Sequence, residues 1–187
     1  MRNVLAIAFA LTVAASGEAS SAPAAQAGVA TDITKAEIQA AVKKTASAPV
    51  SDQQLRVIGI NGEYNVGVGV VHRAKTAGRD IGGGIEHSQI TEIYHIISGN
   101  GTLVTDGKIE NSKATPADSP VVTTLNGPSS GGGKVIGGKS RKLGPGDVVI
   151  IPPNTPHWWT DIATDEIVYL VVRADPNKVL PAGYVLK

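Results

Sequence analysis

Apolar residues follow two different periods along this chain. A first apolar run covers residues 4–15 and is followed by small residues. Next, Ile33, Ile38, Ala41 and Val42 recur at helical spacing behind Thr34-Lys35-Ala36-Glu37, a Thr-x-x-Glu capping box. The pattern predicts a short N-terminal helix ending near Thr45, with one face packed on the outside of the body. From Leu55 onward the period falls to two, which is that of strands.

The strands are legible one by one. Residues 55–60 and 64–72 flank Asn61-Gly62, the strongest short hairpin signal. In the second of these runs Val66, Val68, Val70 and His72 share one face, and Gly67, Gly69, Val71 and Arg73 share the other. The glycines leave room for a close neighbour, and His72, near the strand end, is expected at the surface. In residues 92–97, Glu92, Tyr94 and Ile96 point one way and Ile93, His95 and Ile97 the other, so His95 is expected outside if Glu92 is inside. Residues 101–105 form another strand, closed by an Asp106-Gly107 hairpin turn. Residues 109–134 are irregular, with a short strand expected over 121–125, and read as a flap over a pocket or a surface excursion. Val148-Val149-Ile150-Ile151 is continuously apolar and predicts a strand buried on both faces, delivering His157 into a turn. Alternation then puts Trp159 and Asp161 on the side of His157. A final strand covers 166–173, and the tail after Asp175-Pro176 is expected on the surface. Many short strands with 22 glycines and 11 prolines give an all-β fold.

The N-terminus narrows the setting. Arg2, the apolar run and Ala25-Gln26-Ala27 have the layout of a secretory signal peptide over residues 1–27, and the run is too short to span a bilayer. The expectation is a secreted or periplasmic protein with no membrane segment in its mature form. The remaining ~160 residues suit one domain, divided as a tail and helix over 28–54, a barrel over 55–175 and a C-terminal tail over 176–187. There is no cysteine, which excludes disulfides, thiolate metal sites and cysteine nucleophiles. A net charge of +1 without a basic stripe argues against nucleic acid as a partner. The glycine run 131–133 lacks the Lys-Ser/Thr ending of a phosphate loop.

Two stretches carry the chemistry. Gly146, Pro152 and His157 stand at the spacing of the second signature of the cupin family, which the chain resembles over residues 55–175. Asn154 replaces that signature's middle Gly, and Asn is the non-Gly residue that best tolerates positive φ. Asp161 replaces its final Asn. The first signature is matched by His87, Glu92 and Gly99; Gln89 stands where a second histidine falls, and the spacing to Glu92 is one residue shorter.

The resemblance implies an antiparallel jelly-roll (cupin) β-barrel enclosing a small-ligand pocket. It implies a divalent transition metal, Fe, Mn, Ni, Cu or Zn, held by His87, Glu92 and His157, with Gln89 as a weak fourth oxygen ligand or a hydrogen-bonding neighbour. Tyr94 and Trp159 are expected to wall the pocket, Tyr94 also as a proton donor. Two functions follow: a metal-dependent enzyme on a small organic molecule, of dioxygenase, isomerase or lyase type, or a non-catalytic barrel that binds a small ligand or serves a structural role. Family members commonly dimerise, which makes a homodimer an expectation here.

Overall fold

The computed structural model describes residues 28–78 and 83–187; the expected signal peptide lies outside them. Helix α1 (Lys35–Lys44) begins where its capping box sets it. Thr34 accepts from the Glu37 backbone N–H, and the Glu37 carboxylate accepts from the Thr34 N–H. Its apolar side, with Ala41 buried and Ile33, Ile38 and Val42 half-buried, packs on Leu55, Val70 and Val168 outside the barrel.

The strands are β1 (Val50–Ile60), β2 (Tyr64–Ala74), β3 (Ile85–His87), β4 (Thr91–Ser98), β5 (Gly101–Thr105), β6 (Lys108–Ile109) and β7 (Lys113–Ala114). They continue as β8 (Ser129–Gly131), β9 (Val135–Ile136), β10 (Lys139–Leu143), β11 (Val148–Ile151), β12 (His157–Ile162) and β13 (Glu166–Asp175). A five-stranded sheet in the order β1-β2-β13-β4-β11 faces a six-stranded sheet in the order β10-β5-β12-β3-β8-β7, and the named pairings are antiparallel. This is the double-sheeted jelly-roll barrel with a short helix in front. Leu103, Trp159 and Ile162 from one sheet meet Ile96, Tyr169 and Val171 from the other in the core.

Several local expectations change in the folded chain. Val148–Ile151 is an edge strand: Val149 and Ile151 are buried, but Val148 and Ile150 are 59% and 64% exposed, so only one face is covered. A continuous apolar run does not reveal its outer face, and β11 has a partner on one side only. Asp106-Gly107 turns the chain at positive φ but does not close a hairpin. It bends one long ladder, in which β5 pairs with β10 and β6 with β9. The expected strand at 121–125 is a π-helical turn (Val121–Asn126). Pro120 precedes it in helical backbone, and the Ser119 carbonyl accepts from the Val122 and Thr123 N–H groups, a tight turn that overrides the strand preference of a β-branched run. His72 is buried, not exposed, because the outer face of β2 that it shares with Val70 is the one on which helix α1 packs; its Nε2 is 3.0 Å from Glu166 Oε2. Residues 181–183 are exposed as expected, yet the tail also bonds to β1: the Val57 N–H donates to the Tyr184 carbonyl and the Leu186 N–H to the Leu55 carbonyl.

Candidate metal centre

The two motif stretches meet at the end of the barrel where β3 and β12 lie side by side. His157 pairs with Ile85 across that ladder, and the Asn154 N–H donates to the His87 carbonyl at 2.8 Å, tying one motif's turn to the other's strand. Asn154 has φ +59°, the left-handed backbone its place in the motif demands. From the opposite sheet β4 brings Glu92 inward, with Tyr94 and Ile96 on the same side as alternation predicts, and leaves His95 exposed outside.

His87, Glu92 and His157 converge with ligand atoms within 4.8 Å of one another, all three buried. His87 Nε2 is 3.5 Å and His157 Nε2 3.4 Å from Glu92 Oε2. Hydrogen bonds behind the rings fix their tautomers. His157 Nδ1 faces the Thr155 carbonyl at 3.0 Å, and a carbonyl only accepts, so Nδ1 carries the proton. His87 Nδ1 faces Ser129 Oγ at 2.8 Å; the Ser129 hydroxyl donates to the Gly127 carbonyl, so Oγ accepts from His87. Both Nε2 lone pairs are thereby turned toward a carboxylate oxygen. Three acceptors facing one another in a buried space repel unless a proton or a cation stands between them. Donors held 2.0–2.2 Å from a zinc-like ion at tetrahedral angles lie roughly 3.3–3.6 Å apart, so the separations fit a metal.

Glu92 is held from every side. Its Oε1 accepts from Arg173 Nε at 3.2 Å and its Oε2 from the Tyr94 hydroxyl at 2.9 Å. Burial pushes the Glu92 carboxyl up, but in the metal-free site the imidazoles, once they take a proton on Nε2, and Arg173 outweigh it and hold it well below the usual carboxylate range. Burial lowers His87 below its ordinary value, His157 and Arg173 add to this, and Glu92 opposes it in part. Burial and the Glu92 charge keep Tyr94 protonated far into the alkaline range, so it serves the carboxylate as a donor.

Arg173 was invisible as a site residue in the sequence. It is 1% exposed and donates to Glu92, to Gln54 Oε1 at 2.7 Å and to Asp52. The glycines of β2 make its room. A Cβ on Gly69 would stand 2.9 Å from Arg173 Nη1, and one on Gly67 would stand 2.5 Å from Gln54 Nε2. The Gly-x-Gly alternation opposite a strand containing one arginine was the available signal.

The triad opens on a cavity of about 210 Å³, lined by Asp52, Arg73, Tyr94, Tyr169 and, from the π-helical turn, Val121, Leu125 and Asn126. The 109–134 segment therefore covers this pocket. Gln89 is half-buried and is not among the lining residues. Trp159 is in the core, not the pocket wall; its indole N–H donates to the Tyr169 hydroxyl at 3.2 Å. A bulge between Trp159 and Asp161 turns Asp161 outward, where it accepts from Thr76, so the expected alternation breaks there.

Both signature strands, one from each end of the barrel sequence, place their ligands at one buried point between two antiparallel sheets. The fold is the antiparallel jelly-roll barrel that the resemblance implies. No family model and no curated relative matches the sequence. Solved structures similar to this chain include the DMSP lyase DddQ of Ruegeria pomeroyi, at 19% identity and TM-score 0.43 over 71% of this chain and 50% of that one. A recombinant oxalate oxidase in complex with glycolate aligns at 20% identity and TM-score 0.42, over 69% and 52%. A cupin protein of Bacteroides fragilis aligns at 18% and 0.38, over 65% and 78%. The chain thus spans about half the length of the lyase and of the oxidase.

Proposed function

We propose that this protein is an exported, metal-dependent cupin enzyme acting on a small organic molecule in the barrel cavity. The observation that carries the reading is the pair of tautomer-locked imidazoles, His87 and His157, both aimed at the Glu92 carboxylate in a buried site. His87, His157 and Glu92 would hold the metal, leaving positions open for substrate. Donors of this kind suit Fe, Mn, Ni, Cu or Zn. When bound, such an ion polarises a substrate oxygen or lowers the pKa of bound water, chemistry shared by dioxygenase, isomerase and lyase types. Arg173 and Tyr94 fix the carboxylate, Ser129 and the Thr155 carbonyl fix the rings, and the π-helical turn excludes water from one side. The Tyr94 hydroxyl, which donates to Glu92 Oε2 at 2.9 Å, would be the group that passes a proton to or from the substrate. Export rests on the signal-like N-terminus, and pairing of two copies on the uncovered apolar side of β11, Val148 and Ile150.

Metal content of the mature protein, purified without chelator or affinity nickel, tests the reading beside His87→Ala and His157→Ala. About one ion per chain, lost in both variants, is expected. No ion even after reconstitution would leave the second reading, a non-catalytic ligand-binding barrel, which the replacement of the second motif histidine by Gln89 favours.

A further inference from the structure

The cavity contains one cationic side chain that the metal centre does not use. Arg73 lies on the inward face of β2 beside Val71 and lines the same pocket as His87, Glu92 and His157. Its partner among the described residues is the Tyr169 hydroxyl, which accepts from Nε at 3.2 Å. That neutral contact leaves the two Nη groups of the fork uncommitted. The other charges around the pocket are mutually paired: Arg173 bridges Glu92 and Asp52. With two carboxylates and two guanidinium groups the lining is neutral by itself, and a divalent ion at the triad leaves it doubly positive. The wall also holds two buried acceptors, Asp52 Oδ1 and Asn126 Oδ1, with no hydrogen-bond partner. The excess of positive charge suits an anion, and the two spare acceptors suit a donor such as a hydroxyl on the same guest, so the pocket is built for a polar anion and not an apolar guest.

We propose that Arg73 anchors the carboxylate of a small substrate whose reacting end faces the metal centre, so that this residue sets the substrate class as small organic acids. The inference rests on the reading of His87, Glu92 and His157 as a metal site. A planar guanidinium with two free N–H edges matches a carboxylate in a bidentate fork, which a lysine cannot reproduce. At about 210 Å³ the cavity has room for on the order of seven waters at liquid density, hence for an acid of a few carbons rather than a sugar chain or a peptide. The competing role for Arg73 is that of a prop for Tyr169, which predicts no preference among ligands.

Titration calorimetry with propionate and its uncharged isostere propionamide separates the two. On zinc-loaded protein, propionate is expected to bind at least tenfold more tightly than propionamide. Arg73→Gln should abolish that preference with zinc stoichiometry unchanged, and Arg73→Lys should retain only part of it. Equal binding of the two probes by the wild type, or a preference that survives in Arg73→Gln, overturns the proposal and leaves the metal reading intact. If zinc does not load, the metal reading fails by itself. The same titration on metal-free protein then decides on Arg73, a propionate preference lost in Arg73→Gln supporting it and no preference overturning it. Because the wild-type comparison needs no variant, misfolding of a substituted chain cannot mask the outcome.

Discussion

Arg173→Met asks how much of this barrel's stability depends on one buried guanidinium. The side chain is 1% exposed and serves two carboxylates, Glu92 at 3% side-chain exposure and Asp52 at 23%. Methionine fills much of the volume but takes from the buried Glu92 carboxylate its one permanent counter-charge, leaving it the neutral Tyr94 hydroxyl and the two imidazoles. Removing one partner of a buried pair costs 3–5 kcal/mol; Asp52 is partly solvated and adds little, so the expected loss is about 3 kcal/mol. For a domain of this size each kcal/mol moves the midpoint by roughly 2–4 °C, which gives a fall in Tm of about 6–12 °C. The metal-free and zinc-loaded proteins should differ. A divalent ion supplies Glu92 with a second counter-charge, so the deficit should shrink when zinc is present, which by linkage means that zinc binds the variant more tightly than the wild type. Circular dichroism melts with chelator and with excess zinc measure both quantities. A metal-free variant within 1 kcal/mol of wild type, or a deficit that grows on adding zinc, would refute the electrostatic account of Arg173.

Other consequences can be checked on the same preparation. Ser129→Ala leaves the His87 Nδ1–H without its acceptor and should weaken zinc binding about tenfold by competition with a fluorescent chelator, while secondary structure is unchanged. Gly69→Ala should cost about 1–3 kcal/mol in urea denaturation, since the new methyl meets Arg173 and the Gln53 carbonyl. In the metal-free protein, His87 and Glu92 both titrate below their ordinary values of 6.5 and 4.5. The unfolded chain therefore takes up their protons first, and stability present above pH 6.5 should decline as pH falls through the His87 range and again below 4.5, whereas a histidine raised in the fold would give the opposite slope. Equilibrium denaturation from pH 8 to 4 would show the sign.

The parts of this fold that are local in sequence were legible there. Thr34 and Glu37 announced the helix, Asn61-Gly62 the first hairpin, and the spacing from Gly146 to His157 the metal-facing turn. Alternation alone separated Glu92 from His95. What escaped depends on partners distant in the chain. Whether the outer face of Val148–Ile151 is covered is decided by the strand order of the sheet. The bulge that turns Asp161 away is a feature of pairing with β5, and the burial of His72 comes from what lies across the outer face of β2. Arg173 looked like the polar end of a last strand; only its register opposite Glu92 and the space left by Gly69 make it part of the centre. The π-helical turn is a local failure, where the tight turn through Ser119 and Pro120 outweighed four β-branched residues.

The ladder of β5–β6 against β9–β10 also bears on how such a barrel diversifies. It clamps both ends of the 110–134 excursion, so the chain between them is held by its base and not by its content. Only Ser129, which secures His87, and its two strand neighbours are bound to the ligand set from within that excursion. Residues 116–126, which form the roof through Val121, Leu125 and Asn126, can be exchanged for a different roof without disturbing the triad, Arg173 or the core, provided that the Gly127 carbonyl holding Ser129 stays in place. Whatever shape selectivity the roof adds is in this way encoded apart from the triad and from Arg73. A library varied in the roof alone should yield barrels that keep their metal and change their guest.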